Sequence, residues 1–188
     1  GSYPGVTPDG GVGFVVNTPG GANLPFPLDP NAVAPAGAQR LAMVTGNTFV
    51  KISTDGGVTF PTTIANFSTV FGDSPDGGYC CDQVVHYIPS IDRVVWLIQT
   101  NRSGATGTGP SRERVAWARP ADIVANFATA WTWFDLTPGF LGNGANDWLD
   151  YPDLAVSDSY LYASFDDVTT GNGLVVARIS LADLQKPA

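Results

Sequence analysis

Apolar positions in this chain fall in short runs that alternate with polar residues and are cut by turn formers every few residues. Alternation of this kind is the period of a half-buried strand, because successive side chains on a strand point to opposite faces. The pattern predicts strands over 40–45, 48–53 and 58–64. Thr54-Asp55-Gly56-Gly57 reads as the hairpin turn before the last of these, since glycine reaches the positive φ that tight turns need. A second group is predicted over 83–88, 93–100, 114–119 and 131–136, and a third over 153–156, 160–165 and 174–179. Only 122–130 has the spacing of a short helical turn. Residues 1–39 form a lead-in rich in proline and glycine, with one apolar burst at 12–16.

The groups echo one another. Asp82-Gln83-Val84-Val85 and Asp153-Leu154-Ala155-Val156 each precede a turn and an aromatic strand, 71 residues apart. Residues 115–123 are echoed by 175–183, and the glycine-rich insert 101–111 absorbs the change in spacing. Repetition of a four-stranded unit predicts an all-β chain built as a β-propeller, with approximate blades at 40–72, 79–141 and 150–188. About three blades are too few to close a ring, so further blades from another chain or from a remainder of this one are expected. A β-sandwich is the alternative, since it uses the same short strands.

Composition narrows the partners. With 9 Lys and Arg against 17 Asp and Glu, the net charge is −8, and the dense cationic surface that a phosphate backbone demands is missing. Nucleic acid and anionic membrane surfaces are therefore excluded as expected partners, and no apolar run is long enough to span a bilayer. The 22 Gly and 15 Pro punctuate the chain too often for long helices, while 44% hydrophobic residues argue against disorder. Gly1-Ser2 reads as a cloning remnant. Few lysines, a single glutamate, two glycosylation-type triplets at Asn66 and Asn101 and an adjacent Cys80-Cys81 pair together suggest an extracellular protein. In an oxidising compartment the two cysteines are expected to bridge each other, closing almost no loop and so stiffening the backbone locally.

Ser53-x-Asp55-x-Gly57-x-Thr59-Phe60 matches the Asp-box pattern at all five specified positions. By this motif the chain resembles the sialidase-like Asp-box (BNR-repeat) β-propellers. The resemblance implies that Asp55 is structural, binding backbone N–H groups within the turn between the third and fourth strands of a blade. It also implies that the opposite face of the blades holds a glycan. That face would gather Cys80, Cys81, Asp82, Asp150, Tyr151 and Asp153, with 101–113 and 166–172 as its rim. Sialidases hold a carboxylate with three arginines. Arg93, Arg102, Arg112 and Arg114 do not fall into such a triad under this layout, so sialidase activity itself is not expected.

The candidate chemistry rests on Asp82, Asp150 and Asp153. Two carboxyl groups converging on a channel can serve as general acid and base, and their separation selects retaining or inverting glycoside cleavage. Isolated aspartates also cap loops, which is the simpler role for each taken alone. Trp148 and Tyr151 flank this acidic stretch and are expected to stack on sugar faces, with Arg112 at the rim and the Cys80–Cys81 sulfurs as a flat neighbouring surface. Trp96 and Trp117 lie within strands and are expected to fill the space between blades, and His86 reads as a packed strand residue. Asn146, Asp147, Asp150, Asp153, Asp166 and Asp167 offer hard oxygen ligands that would suit calcium, although their spacing fits no EF-hand. Adjacent cysteines with His86 suit zinc poorly, and no cofactor is expected. The expected function is that of a secreted glycan-active enzyme, a glycoside hydrolase or lyase; a lectin-like propeller and a protein-interaction scaffold are the alternatives.

Overall fold

The computed structural model describes residues 31–33, 40–104, 106–169 and 173–186. It is all-β, with three antiparallel sheets in chain order. The first joins β1 (Asn31–Val33), β2 (Ala42–Gly46), β3 (Phe49–Ser53) and β4 (Thr62–Ile64). The second joins β5 (Tyr79–Ile88), β6 (Arg93–Thr100), β7 (Glu113–Ala118) and β8 (Thr132–Leu136). The third has β9 (Leu149–Val156), β10 (Tyr160–Asp167) and β11 (Gly173–Ser180). Two short helices, α1 (Ser68–Phe71) and α2 (Pro120–Ala125), lie between strands.

The three predicted groups are the three sheets, and the differences lie at their edges. β1 falls in the stretch read as lead-in; three residues are too few to display a period. The strand expected over 58–64 is confined to β4, because Val58 and Thr59 belong to the turn. β9 begins at Leu149, four residues before the alternation becomes regular, because a register shift near Asp150 breaks the pattern. The expected helical turn over 122–130 is α2 followed by a 3-10 turn at Phe127–Thr129. The apolar burst at 12–16 and residues 170–172 of the expected rim lie outside the described residues.

The middle sheet is covered on both faces. On one face Val85, Val94, Trp96, Ile98 and Ala116 pack with Leu41, Met43, Val50 and Ile52 of the first sheet and with Phe67, Phe71, Ile123 and Phe127 of the helical segments. On the other, Ile88, Val95, Leu97, Val115 and Leu136 pack with Leu149, Leu154, Leu161, Ala163, Phe165 and Ala177 of the third. Strand alternation divides these two sets cleanly, even-numbered positions of β6 and β7 facing the first sheet and odd-numbered ones the third. The opening strands of successive sheets are neighbours, β1 against β5 and β5 against β9. Among the described residues nothing packs on the outer face of the third sheet, where Leu174 is 72% and Val176 55% exposed. No helix among the described residues is long and apolar enough to cross a membrane.

The β3–β4 turn is held by side chains. Asp55 accepts the Ser53 hydroxyl at 2.6 Å, the Thr59 amide at 2.9 and 3.1 Å and the Thr59 hydroxyl at 2.6 Å. Ser53 Oγ in turn accepts the Gly57 amide at 2.8 Å. Gly56 and Gly57 both have positive φ, and Phe60 is half-buried. Hydrogen bonds from Ser53, then from Thr59, hold the Asp55 carboxyl well below the usual carboxylate range. A carboxyl with a depressed folded pKa stabilises above its unfolded pKa, and that contribution is lost as pH falls through the folded value. Asp55→Ala is therefore expected to lower the thermal midpoint near neutral pH and to lose most of that effect in strong acid. Equal midpoints at neutral pH would show the turn to be held by its glycines alone.

Candidate functional site

A groove of about 510 Å³ runs between the second and third sheets. Asp82, Gln83 and Val84 of β5 form one wall and Tyr151, Pro152 and Asp153 of β9 the other, with Asn31 of β1 completing the lining. Both walls sit at irregularities of the opening strands. β5 shifts register against β6 between Tyr79 and Gln83, and β9 shifts against β10 between Asp150 and Asp153. At these shifts Cys81 (φ 63°) and Tyr151 (φ 49°) take the left-handed backbone conformation, which L side chains adopt at a cost. Bulges of this kind re-aim the side chains that follow them. Here they bring Asp82 and Asp153 to one cleft and leave Tyr151 68% exposed.

The wall residues are tied to what lies behind them. Asp82 Oδ1 accepts Asn47 Nδ2 at 3.2 Å. Gln83 is buried, donating Nε2–H to the Gly46 carbonyl at 2.5 Å and accepting Trp96 Nε1–H at 2.9 Å. The Gln99 amide joins the two opening strands behind the walls, its Oε1 accepting the Asp82 amide at 3.3 Å and its Nε2 donating to the Leu149 carbonyl at 2.8 Å and to Asp150 Oδ1 at 3.0 Å. Asp150 thus stands behind the groove rather than in its lining. Asp153 Oδ1 accepts the Leu154 amide at 2.8 Å.

Glu113 lies in the same layer. It is the register partner of Gln99 on β6 and shares its face of the sheet. It is fully buried, and among the described residues neither carboxyl oxygen has a hydrogen-bond partner; the buried Ser111 hydroxyl two residues earlier also lacks one there. Burial first, then the charges of Asp150 and Asp82, push the Glu113 carboxyl well above its ordinary pKa. For an acid raised in the folded state, the folded chain holds more protons than the unfolded one. Stability is then full below the unfolded pKa and falls as pH rises toward the folded value.

The remaining sequence candidates lie elsewhere. Cys80 and Cys81 are joined by a disulfide just ahead of Asp82, with Cys80 buried and Cys81 half-buried. They do not line the groove, and neither do Trp148 and Arg112. The Trp148 amide donates to Thr169 Oγ1 at 2.7 Å. Arg112 pairs with Asp76 at 2.7 Å and Asp135 at 3.0 Å, part of a network centred on the fully buried Arg114. Arg114 is paired with Asp73 at 2.6 Å and Asp135 at 2.7 Å, donates to the Tyr79 hydroxyl, and stacks on Trp133 at 3.6 Å. No group of three or more His, Cys, Asp or Glu among the described residues is placed to hold a metal ion. Of the oxygen-rich set proposed for calcium, Asp147 accepts the Gly144 amide and Asp167 accepts Asn143 Nδ2.

Asn31, Gln83 and Gln99 were not legible as site residues, and Glu113 was expected only as the end of the 101–113 rim, whereas the structure buries it completely. Glu113 left one signal in the sequence: the chain's only glutamate occupies the apolar register of β7, ahead of Val115 and Trp117. No protein-family model, curated protein or solved structure matches the chain.

Proposed function

We propose that the groove holds a carbohydrate and that Asp82 and Asp153 act on it as an acid and base pair, with Tyr151 as the stacking platform. The observation that carries this reading is the convergence of two carboxyl groups and one exposed aromatic ring on a single cleft. The protein is then a secreted, glycan-active member of the Asp-box propellers. The Ser53, Asp55 and Thr59 hydrogen bonds support that membership, lying between the third and fourth strands of a four-stranded sheet. A middle sheet covered on both faces and adjacent opening strands favour propeller blades over a two-sheet sandwich. In this reading a further blade stacks on the open face of the third sheet. The oxidised Cys80–Cys81 pair supports an oxidising compartment.

Incubation with a glycan panel, with released and bound species read by mass spectrometry, tests the reading. Asp82→Asn and Asp153→Asn are each expected to lower turnover by about 10²–10⁴-fold while leaving the thermal midpoint nearly unchanged. Turnover undiminished in both variants removes the pair from the mechanism. A non-catalytic, lectin-like role is the second reading, favoured by the hydrogen bonds that Asn47 and the Leu154 amide already make to these carboxylates. Glycan retained intact by the wild type and released by Tyr151→Ala would select it.

A further inference from the structure

We propose that Glu113 is a positioning residue whose uncharged carboxylic acid keeps the two walls of the groove together, so that the groove opens as pH rises. The inference rests on reading this groove as the ligand site. One wall belongs to the second sheet and the other to the third, and behind the groove the Gln99 amide is a polar tie between their strands, bonded to Asp82 of β5 on one side and to Leu149 and Asp150 of β9 on the other. Glu113 sits beside Gln99 in register, facing the third sheet, with both oxygens buried and without a donor among the described residues.

The charged surroundings offer an anion nothing. The charges of Asp150 on β9 and Asp82 on β5 disfavour its ionised form, while the register partners on β6 and β8 are the uncharged Gln99 and Leu136. On β10, Asp167 shares the inward register of Phe165 and is held by Asn143 and the Thr169 amide. The cations on the same segment, Arg112 and Arg114, point to the opposite face and are committed to Asp73, Asp76 and Asp135. An unpartnered buried carboxylate is strongly unfavourable. Below its raised pKa the group is neutral and the sheets close over it. Once it ionises, relief comes from water entering between the sheets at Gln99, which separates Asp82 from Tyr151 and Asp153.

Because Glu113 is the only glutamate in the chain, ¹³C-glutamate labelling gives one side-chain carboxyl resonance that reports on it alone. Its titration in the wild-type protein is expected well above the ordinary glutamate value of about 4.3. Titration at that ordinary value overturns the proposal. So does a calcium-induced shift of the resonance at neutral pH, since the acid would then be ionised and metal-bound.

Hydrogen exchange of Tyr79–Ile88 and Leu149–Val156, compared with Glu113→Gln at each pH, reads the opening itself. The wild type is expected to gain up to about tenfold in exchange per pH unit, relative to the variant, as the acid ionises. Parallel profiles overturn the positioning role. Neither measurement uses a glycan. Failure of glycan capture at every pH would therefore sink the reading of the groove as a ligand site, while the resonance and exchange profiles still decide whether Glu113 closes it.

Discussion

Replacing Trp96 by alanine is expected to cost about 3–5 kcal/mol of stability, the largest loss at any single position considered. Trp96 is fully buried on β6 and joins the middle sheet to nearly everything packed on that face. Its ring lies 5.3 Å from Phe67, 5.5 Å from Phe71, 5.8 Å from Phe127 and 5.3 Å from Trp131. These partners come from α1, the 3-10 turn after α2 and the segment entering β8, so truncation opens a void beneath three separate pieces of chain. Collapse into such a void is limited, because the surrounding strands hold their register. Trp96→Phe separates packing from polarity. It keeps most of the ring but removes the donor to Gln83 Oε1, leaving a buried oxygen unpaired at a cost of about 1–3 kcal/mol. Gln83 lines the groove, so this milder variant is also expected to disturb ligand capture. Urea denaturation measures both losses. A Trp96→Ala variant within about 1 kcal/mol of wild type would contradict the picture of a close-packed cluster around this ring.

Arg114→Met is expected to cost about 3 kcal/mol, near the lower end for breaking a buried ion pair. The guanidinium makes paired hydrogen bonds to Asp135 and to Asp73 while its carbon sits over the Trp133 ring, 3.6 Å from the centroid. Burial alone would lower its pKa, but the bonds to Asp135 and Asp73 outweigh that and raise it, so the charge is held firmly. Methionine fills much of the volume and leaves two carboxylates behind. Asp135 keeps Arg112, and Asp73 is 41% exposed and can rehydrate, which is why the loss stays below the upper limit. Arg114→Lys retains the charge without the planar fork and is expected to recover only part of the stability. The hydrogen bond from Arg114 also holds the Asp73 carboxyl below its usual range, so the wild-type advantage should fade as pH drops through the depressed value. Equal urea midpoints for wild type and Arg114→Met at neutral pH would mean that desolvation had cancelled the whole network.

Much of the fold was legible because strand alternation is a local signal. The three strand groups, the helical turn after β7 and the turn around Asp55 each depend on residues close together in sequence, and each is present. The burial of Trp96 and the pairing of Cys80 with Cys81 belong to the same category. Legibility failed where the pattern was too short or was broken. β1 has three residues, and the opening of β9 is disrupted by the register shift that makes it useful. Left-handed backbone at Cys81 and Tyr151 has no signature of its own, since neither is glycine or asparagine.

The sequence by itself determined where most strands fall, how they group into three sheets, and that aspartates with a tyrosine stand near the entrances of two of them. Side-chain period and turn chemistry act over a few residues, and so they can be read along the chain. The tertiary structure alone decided that Asp82 and Asp153 share a groove, that Asp150 stands behind it on Gln99, that Arg112 belongs to the Arg114 network, and that Glu113 is sealed between two sheets. Each of these depends on contacts between strands tens of residues apart. There, the free energy of burying a charge or joining two walls is set by whatever the other sheet presents.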